Sequence, residues 1–268
     1  MEEGLSFREL EPFGVEIEAD LSIPLPSAAV EAFRALFRRH GLLIARGQSL
    51  SRERQRALCA HLGPILEREG ESGVLSNEPG GPAASAYAWH ADAAYTDAPF
   101  DALSLHAIEL VDGASSTRFA SAERAFVLLS EALRAELGSR SQTMISPHFE
   151  RLDQRTCDDP DPPFMKRGVR PTTIENPHNG RTCVWVSEMQ TARLDGLPWE
   201  EGRICLHAVF DVLYAPGNVY EHVWRAGDLV IWDNIALQHA RASQADVGPR
   251  RLQRVIVGRE GAAPHVET

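Results

Sequence analysis

Gly227-Asp228-Leu229-Val230-Ile231-Trp232-Asp233-Asn234 is the stretch on which the reading of the fold turns. A Gly-Asp turn enters it, an unbroken run of branched and aromatic side chains follows, and Asp-Asn closes it. An apolar run with no alternation is a strand buried on both faces. Directly beyond the polar turn lies Leu237-Gln238-His239-Ala240-Arg241, so a histidine follows a core strand. Working outward, Leu103–Ile108, Cys183–Ser187 and Leu252–Val257 carry the same short apolar signal, and Asn179-Gly180 is a hairpin turn before the second of these. Helical spacing marks 27–40, 51–62, 121–137 and 200–214. Short strands separated by turns, with a few helices, predict a mainly β chain: a jelly roll with helices packed outside it.

Bulk properties narrow the function. The 268 residues suffice for one large domain with a full core, and 1–268 is read as a single domain. The net charge of -11 argues against nucleic acid, which needs a basic surface, and against docking on anionic membranes. No apolar run reaches the roughly 18 residues of a membrane span. Met1-Glu2-Glu3-Gly4 is acidic and unlike a secretory leader, so the cytoplasm is the expected compartment. A small-molecule substrate is the expected partner, with self-association into a homo-oligomer left open. Cys59, Cys157, Cys183 and Cys205 form no C-x-x-C pair and read as free thiols. Two irregular stretches, 77–86 and 156–171, are read either as lids over a site or as plain surface loops.

The chemistry begins in Tyr87-Ala88-Trp89-His90-Ala91-Asp92. In extended backbone, residues two apart face one way, so His90 and Asp92 would present an imidazole and a carboxylate to one point. These are two ligands of a 2-His-1-carboxylate triad, which leaves positions open on Fe(II). The third ligand must come from a distant strand; His239, one of ten histidines, follows the buried one and is read either as that ligand or as an ordinary core or surface residue. Near the C-terminus, Arg250, Leu252 and Arg254 share one strand face while Arg251 and Gln253 share the other. If Arg250 faces inward, so does Arg254, and Arg251 is solvated. Trp232 reads as a core aromatic and Asp233-Asn234 as the turn before the ligand. His178 reads as an exposed hairpin residue, and His207 and His222 as ordinary histidines.

Thr117 lies 25 residues after Asp92, and Arg250 lies 11 after His239. His90, Asp92, Thr117, His239 and Arg250 in this order, with the flanks Trp89–Asp92, Gly227–Asn234 and Arg250-Arg251-Leu252, resemble the taurine dioxygenase-like (TauD/TfdA) family of Fe(II)/2-oxoglutarate dioxygenases. The resemblance runs from about Gly14 to Gly258. It implies a double-stranded β-helix, with Fe(II) on His90, Asp92 and His239 and with 2-oxoglutarate and O2 as co-substrates. Arg250 and Thr117 would hold the distal carboxylate of 2-oxoglutarate, a role that suits a planar guanidinium. Arg254 sits where family members use a second arginine to hold an anionic substrate group. Gln190 falls where taurine dioxygenase has an aromatic substrate contact, so it is expected to touch substrate. That difference, and a short 65–88 stretch, point away from taurine itself.

The expected reaction is oxidation, with hydroxylation as the default, of a C–H bond in a small anionic or amino-acid-like substrate, releasing succinate and CO2. Desaturation and ring closure are further outcomes of the same C–H cleavage. Halogenation is disfavoured because Asp92 fills the position that a halide needs. A non-catalytic jelly-roll metal or ligand binder would have no use for the co-substrate arginine. A zinc hydrolase is a third reading, because two histidines and an aspartate also bind zinc, and the absence of a general-base motif such as H-E-x-x-H counts against it.

Overall fold

Leu229–Asp233 pairs antiparallel on both sides, with Leu42–Ala45 and with Ala102–Glu109, so Val230 lies between Ile44 and Leu105. In this computed structural model, which describes residues 4–66, 73–77, 86–146, 166–244 and 246–259, that strand sits mid-way in an eight-stranded sheet. The sheet runs Phe7–Glu9, Val15–Ile17, Leu42–Ala45, Leu229–Asp233, Ala102–Glu109, Arg251–Val257 and Ile65–Leu66, and Val74–Ser76 also pairs with Arg251–Val257. A second sheet of four strands has the order Val219–Val223, Ser116–Ser121, Leu237–Arg241 and Tyr87–His90.

The unbroken apolar run at 229–232 is explained by what covers each face of its sheet. Leu229 and Ile231 pack with Phe33, Leu36 and Phe37 of the helix Ser27–His40. Val230 and Trp232 point the other way, against Phe119 and Leu237 of the four-stranded sheet. The two sheets therefore face one another across an apolar layer, which is the jelly-roll core. The outer face of the smaller sheet is closed by Ala122–Leu128, Trp199–Leu213 and the segment 183–186, through contacts that include Trp89, Ala120 and Ala240.

The strand Arg251–Val257 obeys a period of two. Leu252 and Ile256 face the interior, while Val255 and Val257 face the helices. Gln253 is also turned to the helix side, where its amide donates to Gln55 Oε1 at 2.8 Å. Arg251 is exposed and lies 3.6 Å from Glu109, as its register requires.

Helices form at 27–40, 52–59 and 199–213, close to expectation. The helix expected over 121–137 is instead two, Ala122–Leu128 and Glu131–Gly138. Ser130 breaks it: its hydroxyl accepts from Leu133 N–H and starts a new helix, leaving Leu129 extended. The strand expected at 183–187 is shorter, Thr182–Val184, and pairs with Thr173–Glu175 across a turn with Gly180 at φ 74°. His178 in that turn is not exposed: it is half-buried, edge-on against Phe37 at 5.4 Å.

Cys59, Cys183 and Cys205 are free thiols, and Cys157 lies outside the described residues. So does most of each irregular stretch, 77–86 and 156–171, and with them the expectation of lids. Among the described residues, no helix is long and apolar enough to cross a membrane.

Candidate active site

His90 ends the strand Tyr87–His90 and stands opposite His239 on the neighbouring strand, with ring centroids 4.2 Å apart. His90 Nδ1 lies 2.8 Å from Ala88 O. A carbonyl can only accept, so Nδ1 carries the proton and Nε2 is left with its lone pair. That Nε2 lies 3.3 Å from Asp92 Oδ1, and His239 Nε2 lies 3.7 Å from the same oxygen. One donor atom from each of the three residues falls within 4.8 Å of the others.

Burial pushes the Asp92 carboxyl up, but the adjacent His90 and His239 rings and the Arg254 guanidinium outweigh it and hold the group well below the ordinary carboxylate range. Burial, reinforced by His90 and opposed by Asp92, pushes His239 down to about 3. An ionised carboxylate beside a neutral imidazole is the state in which both can bind a divalent cation.

Asp92 reaches this point by a route other than strand alternation. The strand stops at His90, and Ala91–Ala94 forms a β-turn closed by Ala94 N–H to Ala91 O at 3.3 Å. Ala93, the third residue of the turn, takes φ 60°, a left-handed conformation where glycine or asparagine is usual.

A cavity of about 250 Å³ opens between the sheets, and His90, Asp92, Thr117, His239, Arg250 and Arg254 all line it. Arg250 is 3% exposed, and its Nε has no hydrogen-bond partner among the described residues. Burial, with the nearby Arg241 charge, pushes its pKa down to about 10. Thr117 Oγ1 accepts from Trp224 Nε1 at 3.0 Å, which leaves the hydroxyl hydrogen to donate elsewhere. The same indole has Arg250 over its ring, 6.0 Å from the centroid. A buried cation with an orphaned donor beside a free hydroxyl hydrogen is a socket for a carboxylate.

Some sequence expectations change. Gln190 is buried and does not line the cavity; its amide donates to Ala91 O at 2.8 Å. His222 has a partner after all. It is fully buried, with Nε2 3.1 Å from Asp228 Oδ2, and it packs edge-on to Trp224 at 4.5 Å. Asp228, which also pairs with Arg46, thus backs the indole that organises Thr117 and Arg250. Trp232 is a core residue as expected, yet it also walls the cavity, with its ring 5.1 Å from that of His239. Asp233 makes the expected turn, accepting from Ile235 and Ala236 N–H at 2.8 and 3.0 Å. Sequence reasoning missed Trp224, Tyr87 and Arg241. Arg241 was within reach, since it lies two past His239 on one strand face, and its guanidinium stacks on Tyr87 at 4.7 Å.

Comparison with known proteins identifies the family and the fold. The model of the "Taurine catabolism dioxygenase TauD, TfdA family" matches residues 6–256. The alpha-ketoglutarate-dependent 2,4-dichlorophenoxyacetate dioxygenase of Cupriavidus pinatubonensis is 24% identical over 267 residues, covering 89% of this chain and 91% of that protein. The alpha-ketoglutarate-dependent sulfate ester dioxygenase of Pseudomonas putida is 25% identical over 263 residues, covering 92% and 87%. In fold, a taurine dioxygenase from Burkholderia xenovorans superposes with a TM-score of 0.79 at 21% identity, over 96% of this chain and 90% of that one. The chain belongs to the TauD/TfdA family and is an Fe(II)- and 2-oxoglutarate-dependent dioxygenase.

Proposed function

We propose that the chain works as one dioxygenase domain that hydroxylates a C–H bond of a small anionic substrate. In this reading His90, Asp92 and His239 hold Fe(II), Arg250 and Thr117 hold the distal carboxylate of 2-oxoglutarate, and Arg254 anchors the substrate. The observation that carries it is convergence: three ligand atoms within 4.8 Å of one another share one cavity with a buried arginine that has an unmet donor. A deprotonated carboxylate with imidazole nitrogens suits Fe(II), and the Arg250–Thr117 socket suits a carboxylate. With O2 and 2-oxoglutarate, Fe(II) supplies the oxidising power for C–H cleavage, and succinate and CO2 are released.

The protein's own side chains bind and orient. Arg254 lines the cavity on the face shared with Arg250, and its charge acts on Asp92, so an anion on Arg254 would lie beside the metal ligands. Leu103, Leu105 and Trp232 form an apolar wall that excludes water from the same space. An anionic substrate also fits the relatives, whose names specify an aryloxyacetate and a sulfate ester. Gln190 is not proposed as a substrate contact, because its amide is committed to Ala91.

The test is a screen of carboxylates, sulfonates, sulfate esters and small amino acids for substrate-dependent succinate formation. A hit should be anionic. Arg254→Met should lose coupled turnover while background decarboxylation of 2-oxoglutarate persists. A neutral substrate, or unchanged KM and coupling in Arg254→Met, would overturn the anchor.

A further inference from the structure

The carboxylate ligand sits on a weak piece of backbone. Its strand has ended, its turn holds a left-handed alanine, and the local hydrogen bonds, Ala94 N–H to Ala91 O at 3.3 Å and Thr96 N–H to Ala93 O at 2.9 Å, leave the N–H and C=O of Asp92 to be met from elsewhere. Two distant carboxamides reach this backbone. Gln190 accepts from Ala91 N–H at 3.3 Å and donates to Ala91 O at 2.8 Å. Asn234 accepts from Asp92 N–H at 2.9 Å and donates to Asp92 O at 2.9 Å.

Each side chain therefore satisfies both the donor and the acceptor of one residue, as a neighbouring strand would. Together they continue the ladder past the point where the sheet stops. We propose that Gln190 and Asn234 are positioning residues that clasp Ala91 and Asp92 and so aim the Asp92 carboxylate at the metal. This rests on the metal site proposed above.

The residue types follow from the task. A carboxamide offers a donor and an acceptor side by side at every pH. A carboxylate accepts only, and an apolar side chain does neither. Both residues are themselves anchored. Asn234 is fully buried, donates also to Phe100 O at 3.0 Å, and sends its backbone N–H to Asp101 O at 3.1 Å. Gln190 is 1% exposed, and its backbone carbonyl accepts from Ile145 N–H at 2.9 Å. The turn that carries Gln190 also grips the strand directly, through Met189 N–H to Trp89 O at 3.1 Å. Asn234 is the last residue of the motif that leads from the core strand to His239, so one short segment places one ligand and clasps another.

The experiment titrates Co(II) into the purified full chain and reads affinity and the ligand-field absorption spectrum, with thermal unfolding of the metal-free protein alongside. Asp92→Ala should lose most Co(II) affinity, which tests the metal site itself. Asn234→Ala should weaken Co(II) by about 10- to 100-fold and alter the spectrum, as loss of a partner that orients a ligand does. Gln190→Ala should act in the same direction, by about 10-fold or less, since its contacts are one residue removed from Asp92. Asn234→Asp and Gln190→Glu preserve size and keep an acceptor while losing the donor, so they serve if an alanine variant fails to fold, and they should show the same shifts. If the Asn234 and Gln190 variants merely melt earlier, with wild-type Co(II) affinity and spectrum, the residues are structural and the inference is overturned while the metal site stands. If Asp92→Ala binds Co(II) as the wild type does, the metal site falls and the inference with it.

Discussion

The two walls of the cavity are built by different rules. On the eight-stranded sheet, Arg254 comes from within a regular strand and Arg250 from the residue that enters it, and simple alternation turns both inward. On the four-stranded sheet, His90 and His239 face each other across a ladder, but Asp92 lies beyond the end of its strand in a strained turn. The arginine wall needs only a correct register. The ligand wall needs outside support, and it has it in Ala88 O for His90 and in two carboxamides for Ala91 and Asp92. Regular backbone places long, charged side chains that reach for a ligand, while irregular backbone lets three short side chains meet at a point.

The largest effect should come from the ligand wall. His90→Ala or His239→Ala should bring turnover to background and cost Fe(II) affinity by more than the about 10- to 100-fold that follows loss of a supporting partner. Circular dichroism should show the fold retained, because both rings line the cavity, where truncation enlarges a space already open. Near-normal turnover in either variant would remove that wall from the comparison.

The next effect belongs to the arginine wall. Arg250→Lys keeps the charge but loses the planar fork, and should raise the 2-oxoglutarate KM on the order of 10-fold, as expected for a charge-assisted hydrogen bond. Arg251→Lys, on the exposed face beside Glu109, should change KM little. Equal effects at both positions would break the rule of alternation for this wall. A smaller change should follow from Trp224→Phe. It keeps a ring between His222 and Arg250 but removes the donor to Thr117 Oγ1, worth about 1 kcal/mol, and so should raise the 2-oxoglutarate KM about fivefold with kcat little changed. A kcat loss without a KM shift would place Trp224 elsewhere in the chemistry.

The same contrast separates what the sequence revealed from what it hid. Arg250, Leu252 and Arg254 against Arg251 and Gln253 could be read from period two alone, because a strand obeys that period wherever it runs. The core strand at 229–233 was legible from its unbroken apolar run, since both its faces are covered. Asp92 was found for an incomplete reason: alternation pointed it at His90, whereas the structure takes it there through a turn with Ala93 at φ 60°, and no glycine marks that turn. The expected place of Gln190 at the substrate rests on analogy of position, and its pair of hydrogen bonds with Ala91 links residues 99 apart in sequence, which no local pattern encodes. Trp224 and His222 stayed hidden for the same reason, since their partners Thr117 and Asp228 are brought to them only by the sheet and the turn that follows it. The broken helix at Leu129-Ser130 was legible in principle, as serine ahead of Glu131 is a helix start.

The most direct test of the two-walled site is an anaerobic titration of the Fe(II)-loaded protein with 2-oxoglutarate, followed by the visible charge-transfer absorption that arises when a 2-oxo acid chelates Fe(II). The wild type and Arg251→Lys should saturate alike, Arg250→Lys should need on the order of 10-fold more 2-oxoglutarate, and His90→Ala should show no such absorption. Wild-type absorption in His90→Ala, or a wild-type titration curve in Arg250→Lys, would contradict the assignment of the walls.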